Sequence, residues 1–194
     1  MIKLISDKVA CYLCKDEDCK DNYGLYEYAV YIILSSLFHI ATIIVLGLCF
    51  NLLVESLMFY FSFISIRKFA GGYHAKTPTK CYLFSVASSI IILYLINYLS
   101  NISSIYLTLT FLLLVMICAI LIIIISPIDN DNKTMNYKEK KVYKKIVVIN
   151  SICIFVLSLF FICIDLMNIG CSMLCGIVLS LIVLLLRKIQ INVK

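Results

Sequence analysis

The stretch "ISSIYLTLTFLLLVMICAILIIIIS", Ile102 to Ser126, contains no charged residue. Crossing the hydrocarbon core of a bilayer, roughly 30 Å thick, takes about 20 mostly apolar helical residues, and this run meets that length. Five further stretches qualify or nearly do: Tyr26 to Cys49, Phe50 to Ile66, Cys81 to Leu99, Ile146 to Leu166, and a last one ending at Leu186. The second is short and holds Glu55. With 63% hydrophobic residues, 14% charged residues and a mean hydropathy of +1.04, the chain lies outside the range of soluble domains. The expectation is an all-α integral membrane protein with six transmembrane helices. One domain is expected over 1–194, with the six-span bundle at 26–186, a tail at 187–194 and no separate soluble domain.

Orientation follows from the cations, because short translocated loops avoid Lys and Arg. Lys3, Lys8, Lys15 and Lys20 precede the first span, and Arg67, Lys68, Lys76 and Lys80 lie between the second and third. Lys133, Lys138, Lys140, Lys141, Lys144 and Lys145 fall in the charged loop between the fourth and fifth, and Arg187, Lys188 and Lys194 follow the sixth. All 17 cations therefore sit on one side of a six-span model, which places both termini in the cytoplasm. The turns on the other side, the last of them expected near Asn168 and Gly170, carry none. The same topology accounts for the net charge of +6, so nucleic acid is not implied as a partner.

Residues 1–22 have apolar positions interrupted by charge, unlike a cleavable signal peptide, and are expected to remain on the protein. Ile2, Ile5, Val9, Tyr12 and Leu13 recur at near-helical spacing between charges, the pattern of an amphipathic helix lying in the bilayer surface.

Polar residues within the apolar runs narrow the chemistry. Cys118, Cys153 and Cys163 fall inside spans, where cysteine behaves as a small apolar residue, and no disulfides are assigned. Cys11, Cys14 and Cys19 lack a fourth ligand at suitable spacing, so no metal or other cofactor is expected. Cys171 and Cys175, one turn apart, fit ordinary helix packing. His39 has no carboxylate at helical spacing and reads as a packed or hydrogen-bonded histidine. Glu55 admits two readings: an intramembrane carboxylate of functional weight, or a residue near a helix end that reaches water.

The polar interruption "RKFAGGYHAKTPTKC", Arg67 to Cys81, remains. A cysteine becomes a nucleophile when a nearby imidazolium or other cations stabilise its thiolate, and Arg67, Lys68, Lys76 and Lys80 make this junction electropositive. Gly71 and Gly72 allow a close bend before His74, and Thr77-Pro78 breaks any helix ahead of the third span. Ser85, Ser88 and Ser89 share a helical face with Cys81 and could line a pocket. The bland reading stands beside this one. The chain has ten cysteines, topology already requires the cations, and serines on one face also serve close helix packing.

The segment "RKFAGGYHAKTPTKCYLFS" resembles the signature of the accessory gene regulator B (AgrB) family of bacterial membrane peptidases. The resemblance extends over the chain, including the amphipathic N-terminus and the Lys-rich "SPIDNDNKTMNYKEKKVYKK" segment. It implies a cysteine endopeptidase of the bacterial plasma membrane, working at the cytoplasmic side on an AgrD-like signal propeptide of quorum sensing. By position, His74 and Cys81 would be the catalytic pair, Arg67 and Gly72 supporting positions, and Ser85 a further candidate. Cys81 would attack the cleavage-site carbonyl, the acidic C-terminal tail would leave, and an internal cysteine or serine would close a thiolactone or lactone from the thioester. The family often has a polar Glu or Gln in the first span, where this chain has Tyr31, with Glu27 a turn earlier. Either could assist the pair, or the pair acts alone.

A different class stays open: a small transporter or peptide exporter in which His74 and Cys81 are structural and Glu55 marks a pathway. A noncatalytic scaffold is a third, and a homodimer is left open. Aspartyl Gly-x-Gly-Asp, Gly-x-Ser-x-Gly and His-Glu-x-x-His motifs are absent from the sequence.

Overall fold

The computed structural model describes residues 2–13, 23–72, 78–100, 105–128 and 135–192. All its regular elements among these residues are helices: α1 (Ile2–Leu13), α2 (Tyr23–Cys49), α3 (Leu53–Ala70), α4 (Pro78–Ser100), α5 (Ile105–Ile125), α6 (Tyr137–Cys163) and α7 (Met167–Asn192). Four stretches are long and apolar enough to cross a membrane, namely Tyr26–Cys49, Thr108–Ile125, Tyr137–Cys163 and Met167–Asn192. Within α4 the apolar segment Tyr82–Tyr98 is shorter. The 18 residues of α3 carry Glu55 in the first turn and Arg67 and Lys68 in the last. This is an all-α membrane protein.

Two compact units divide the chain, Met1–Val45 and Leu46–Lys194. In the first, α1 buries the small residues Ser6 and Ala10 while Ile5, Val9 and Tyr12 stay exposed, so the large apolar residues form an open face as an interfacial helix requires. The Tyr23 hydroxyl donates to the Asp7 carboxylate. That bond, with the neighbouring negative charge, pushes the Tyr23 phenol up to about 12.

In the second unit α7 is central: 72% of its apolar window is buried, against 17% for α5 and 22% for α6. One cluster joins Ile66 and Ala70 of α3, Val115 and Ile122 of α5, Val147 and Ile154 of α6, and Met173, Leu174, Ile177, Leu181 and Leu184 of α7. The other joins Phe59 and Phe63 of α3, Leu93 and Ile96 of α4, and Cys175, Leu179 and Val183 of α7. Lipid tails are as apolar as leucine, so close packing and interhelical hydrogen bonds carry association here. Small residues provide the close approach. A Cβ on Gly176 would lie 2.7 Å from Ser62 Cβ and 3.0 Å from the Phe59 carbonyl oxygen, so α3 and α7 touch backbone to backbone.

Contacts fix the helix directions. Along α3 and its extension, Phe59, Phe63 and Gly72 meet Gly176, Ser180 and Val183, so α3 and α7 run parallel. α6 opposes α3: Asn150 Nδ2 donates to the Ser65 carbonyl at 3.0 Å, and Phe69 packs edge-on against Tyr143 at 5.9 Å. Ile128, just beyond α5, donates its N–H to the Ala70 carbonyl at 3.1 Å. The C-terminal ends of α3, α5 and α7 therefore gather with the N-terminal end of α6. Arg67, Lys68, Lys138, Lys140, Lys141, Lys144, Lys145, Arg187 and Lys188 all belong to that end. The opposite end, among the described residues, has no Lys or Arg and carries Glu55 and Asp165.

Several boundaries differ from expectation, among them that of the last helix, which runs on to Asn192 past the expected end at Leu186 and through most of the expected tail. The Lys-rich segment is partly helix, because α6 begins at Tyr137; Glu139 accepts the Asn136 N–H at 3.1 Å, and Lys and Glu favour helix beyond it. The turn expected near Asn168 and Gly170 lies instead at Ile164–Leu166, where Asp165 takes φ 63. Gly170 is helical, and its missing side chain is used for contact: a Cβ would fall 2.5 Å from Ile162 Cγ1 and 2.8 Å from the Ser158 carbonyl oxygen.

Candidate functional site

The polar stretch begins in the last turn of α3. Arg67 is half-buried, its guanidinium carbon 5.4 Å from the Phe63 ring centroid one turn earlier. The next cation, Lys68, lies 5.6 Å over Phe69, the ring that meets Tyr143. Gly71 ends the helix with φ 83, and its N–H donates to the Arg67 carbonyl at 3.2 Å. Only glycine adopts that conformation cheaply. There is also no room for more, since a Cβ would come within 2.7 Å of the Ile128 carbonyl oxygen.

Gly72 is buried. A Cβ there would lie 2.8 Å from Val183 Cγ1 and 3.7 Å from both Cγ and Nε of Arg67. The two glycines are thus used differently: Gly71 turns the chain against the segment after α5, and Gly72 presents a bare backbone to α7 and to Arg67.

His74 lies outside the described residues, as do Lys76, Cys14 and Cys19. Cys81 is in the first helical turns of α4, and its side chain falls outside the described part. Ser85 is half-buried one turn further, and its carbonyl accepts the hydroxyls of Ser88 at 3.0 Å and Ser89 at 2.8 Å. Those two hydroxyls are turned onto their own helix, which suits packing more than a pocket lining. Glu55 is half-buried in the first turn of α3, where the helix dipole favours a carboxylate, so it is a helix-end residue and not a mid-span charge. Glu27 and Tyr31 are both half-buried, one turn apart on α2. Cys11, Cys49, Cys118, Cys153, Cys163, Cys171 and Cys175 are free thiols, and among the described residues no cluster of His, Cys, Asp and Glu could hold a metal ion.

Sequence reasoning gave Ile128 and Val183 no role and Arg187 only a topological one. Arg187 is 2% exposed and donates from Nη1 to Gln190 Oε1 at 3.0 Å, one turn beyond Val183 on the same helix. Nothing in a run such as "GIVLSLIVLLLRK" distinguishes the valine that meets Gly72 from its neighbours.

Comparison with known proteins supplies what the geometry alone does not. The family model described as Accessory gene regulator B matches residues 6–185. The chain belongs to this family. It is 31% identical over 146 residues to AgrB-like protein 2 of Clostridium perfringens strain 13, covering 72% of this chain and 64% of that protein. It is 28% identical over 187 residues to the AgrB-like protein of Clostridium perfringens strain SM101, covering 93% of this chain and 84% of that one. The chain thus spans just under two thirds of the first relative's length. No solved structure matches. As an AgrB-family chain it places Arg67, Gly72, His74, Cys81 and Ser85 inside the matched residues, together with Val183.

Proposed function

We propose that this AgrB-family protein is an integral-membrane cysteine endopeptidase that removes the C-terminal tail of an AgrD-like signal propeptide. Its helices form six spans of the bacterial plasma membrane, with both termini and the cationic end in the cytoplasm. The observation that carries this reading is the family signature in its setting. His74 and Cys81 follow a glycine pair that neighbouring helices hold at the one end rich in cations.

The reaction follows from the residue types. His74 takes the proton of the Cys81 thiol, and the thiolate attacks the carbonyl at the cleavage site. Collapse of the tetrahedral intermediate breaks the peptide bond, and His74 returns the proton to the leaving amine of the tail. The acyl group remains on Cys81 as a thioester. An internal thiol or hydroxyl of the peptide then attacks it, releasing Cys81 and closing a thiolactone or lactone. Arg67, stacked over Phe63 and lying beside Gly72, is the candidate partner for a substrate carboxylate. The exporter alternative rests on Glu55, which sits in the first turn of α3, at the end away from the glycine pair.

The test is co-expression with the propeptide, following tail release by mass for the wild type, His74→Ala and Cys81→Ala. Release by the wild type alone is expected; equal release by both variants would overturn the assignment.

A further inference from the structure

We infer that Val183, on the last helix, is a positioning residue for the His74–Cys81 segment, acting through its seat against the bare backbone of Gly72. This inference rests on the peptidase reading above. Gly72 stands two residues before His74 in the chain, so whatever fixes Gly72 fixes where that segment starts.

Three groups hem the glycine pair. The Ile128 peptide blocks Gly71, Arg67 lies along one side of Gly72, and Val183 Cγ1 would be only 2.8 Å from any Cβ placed on Gly72. Val183 cannot yield easily. A β-branched side chain in a helix has one strongly preferred χ1 rotamer, and this one is 2% exposed, in a cluster with Phe63, Leu93 and Leu179. Arg67 and Gly72 belong to the motif itself, and Ile128 acts through its backbone. Val183 is the support that lies far away in sequence and acts through its side chain. It links the central helix α7, the most buried part of the bundle, to the start of the reactive segment.

The contact predicts a size-swap rescue. Gly72→Ala adds a methyl where Val183 Cγ1 stands, and Val183→Ala removes that methyl, while the remaining contacts with Arg67 are at ordinary van der Waals distance. In purified protein supplied with propeptide, Gly72→Ala should lower kcat ~100-fold, the scale of an ångström-sized misplacement, with KM little changed. Val183→Ala alone empties the seat and should lower kcat about tenfold with KM little changed, and the double variant should regain at least about tenfold over Gly72→Ala.

A second measurement does not depend on turnover. The pH dependence of Cys81 alkylation, read by mass on the peptide that contains it, reports how His74 supports the thiolate. Gly72→Ala should shift that profile toward an ordinary thiol, near about 8.5, as His74→Ala does, and the double variant should shift it back. Additive losses in the double variant, or an alkylation profile that Gly72→Ala leaves in place, make Val183 a core residue only and overturn the inference. If instead the wild type releases no tail and His74→Ala leaves the alkylation profile unmoved, the peptidase reading itself fails.

Discussion

At one end of the 46–194 unit the chain leaves α3 through Gly71 and Gly72; at the other it turns through Asn51 and Asp165. Each end uses a residue of positive φ and a close approach made possible by a missing side chain: Gly71 with Gly72 at one end, Gly47 and Gly170 at the other. The difference is in what holds the turn. Opposite the cations the two described turns close on themselves, with the Leu52 N–H donating to the Gly47 carbonyl at 2.8 Å and the Leu166 N–H to the Phe161 carbonyl at 2.9 Å. At the cationic end the glycines are held by Ile128 and Val183, which come from elsewhere in the chain. A turn that closes locally needs only its own sequence. A turn held by other helices can place a reactive residue against groups that the bundle positions, as a site requires.

Breaking the cationic end should therefore cost activity before stability. Gly71→Ala forces a side chain into a left-handed position and sets a methyl against the backbone oxygen of Ile128, which cannot be trimmed by a second mutation. Tail release is expected to fall ~100-fold. Substitution of the Ile128 side chain should not restore it, unlike the rescue of Gly72→Ala by Val183→Ala. Rate per folded molecule, with folding followed by thermal unfolding in detergent, checks this.

The matching change at the other end is Gly170→Ala, whose methyl would crowd Ile162 and the Ser158 carbonyl where α6 and α7 begin to pack. Overpacking of this kind costs about 1–3 kcal/mol. The expected result is a lower unfolding temperature with tail release per folded molecule unchanged. A Gly170→Ala protein that unfolds normally yet cleaves slowly would erase the distinction between the ends.

Much of this contrast is legible in the amino-acid sequence. The apolar runs gave the helices, and the spacing of the cations between them led one to expect the gathering of the described cations of the 46–194 unit at one end. The glycine pair stood out as a bend ahead of His74. Tertiary contacts were not legible. Gly170 looked like a turn because glycine favours turns, but the turn fell to Asp165 and the glycine serves contact. The lysines after Asn136 looked like a loop because they are charged, whereas Glu139 at the helix start lets them ride on α6. Val183 carried no signal at all, since every residue around it is equally apolar and only the neighbour across the packing interface distinguishes it.

A smaller effect sits between the two ends. The Asn150 side chain donates to the Ser65 carbonyl, tying α6 to the second half of α3. Interhelical bonds of this type average about 0.6 kcal/mol in membrane proteins. Asn150→Leu should lower stability by about that amount and slow tail release only slightly. A large loss of rate would mean that α6 also aligns the glycine pair, and the set of supports would have to grow.

The smallest expected effect on tail release is at Glu55. Its carboxylate sits in the first turn of α3, where a negative charge near a helix N-terminus contributes about 0.3–1 kcal/mol. Glu55→Gln keeps the shape and removes the charge, so unfolding should move by no more than that and tail release should stay at the wild-type rate. The variant is informative because the exporter alternative predicts the reverse, with transport of the peptide lost and stability untouched. It also probes the end at which the chain has no Lys or Arg among its described residues. If Glu55→Gln stops peptide processing, chemistry resides at both ends, and the self-closing turns there are part of a path and not merely the place where the helices reverse.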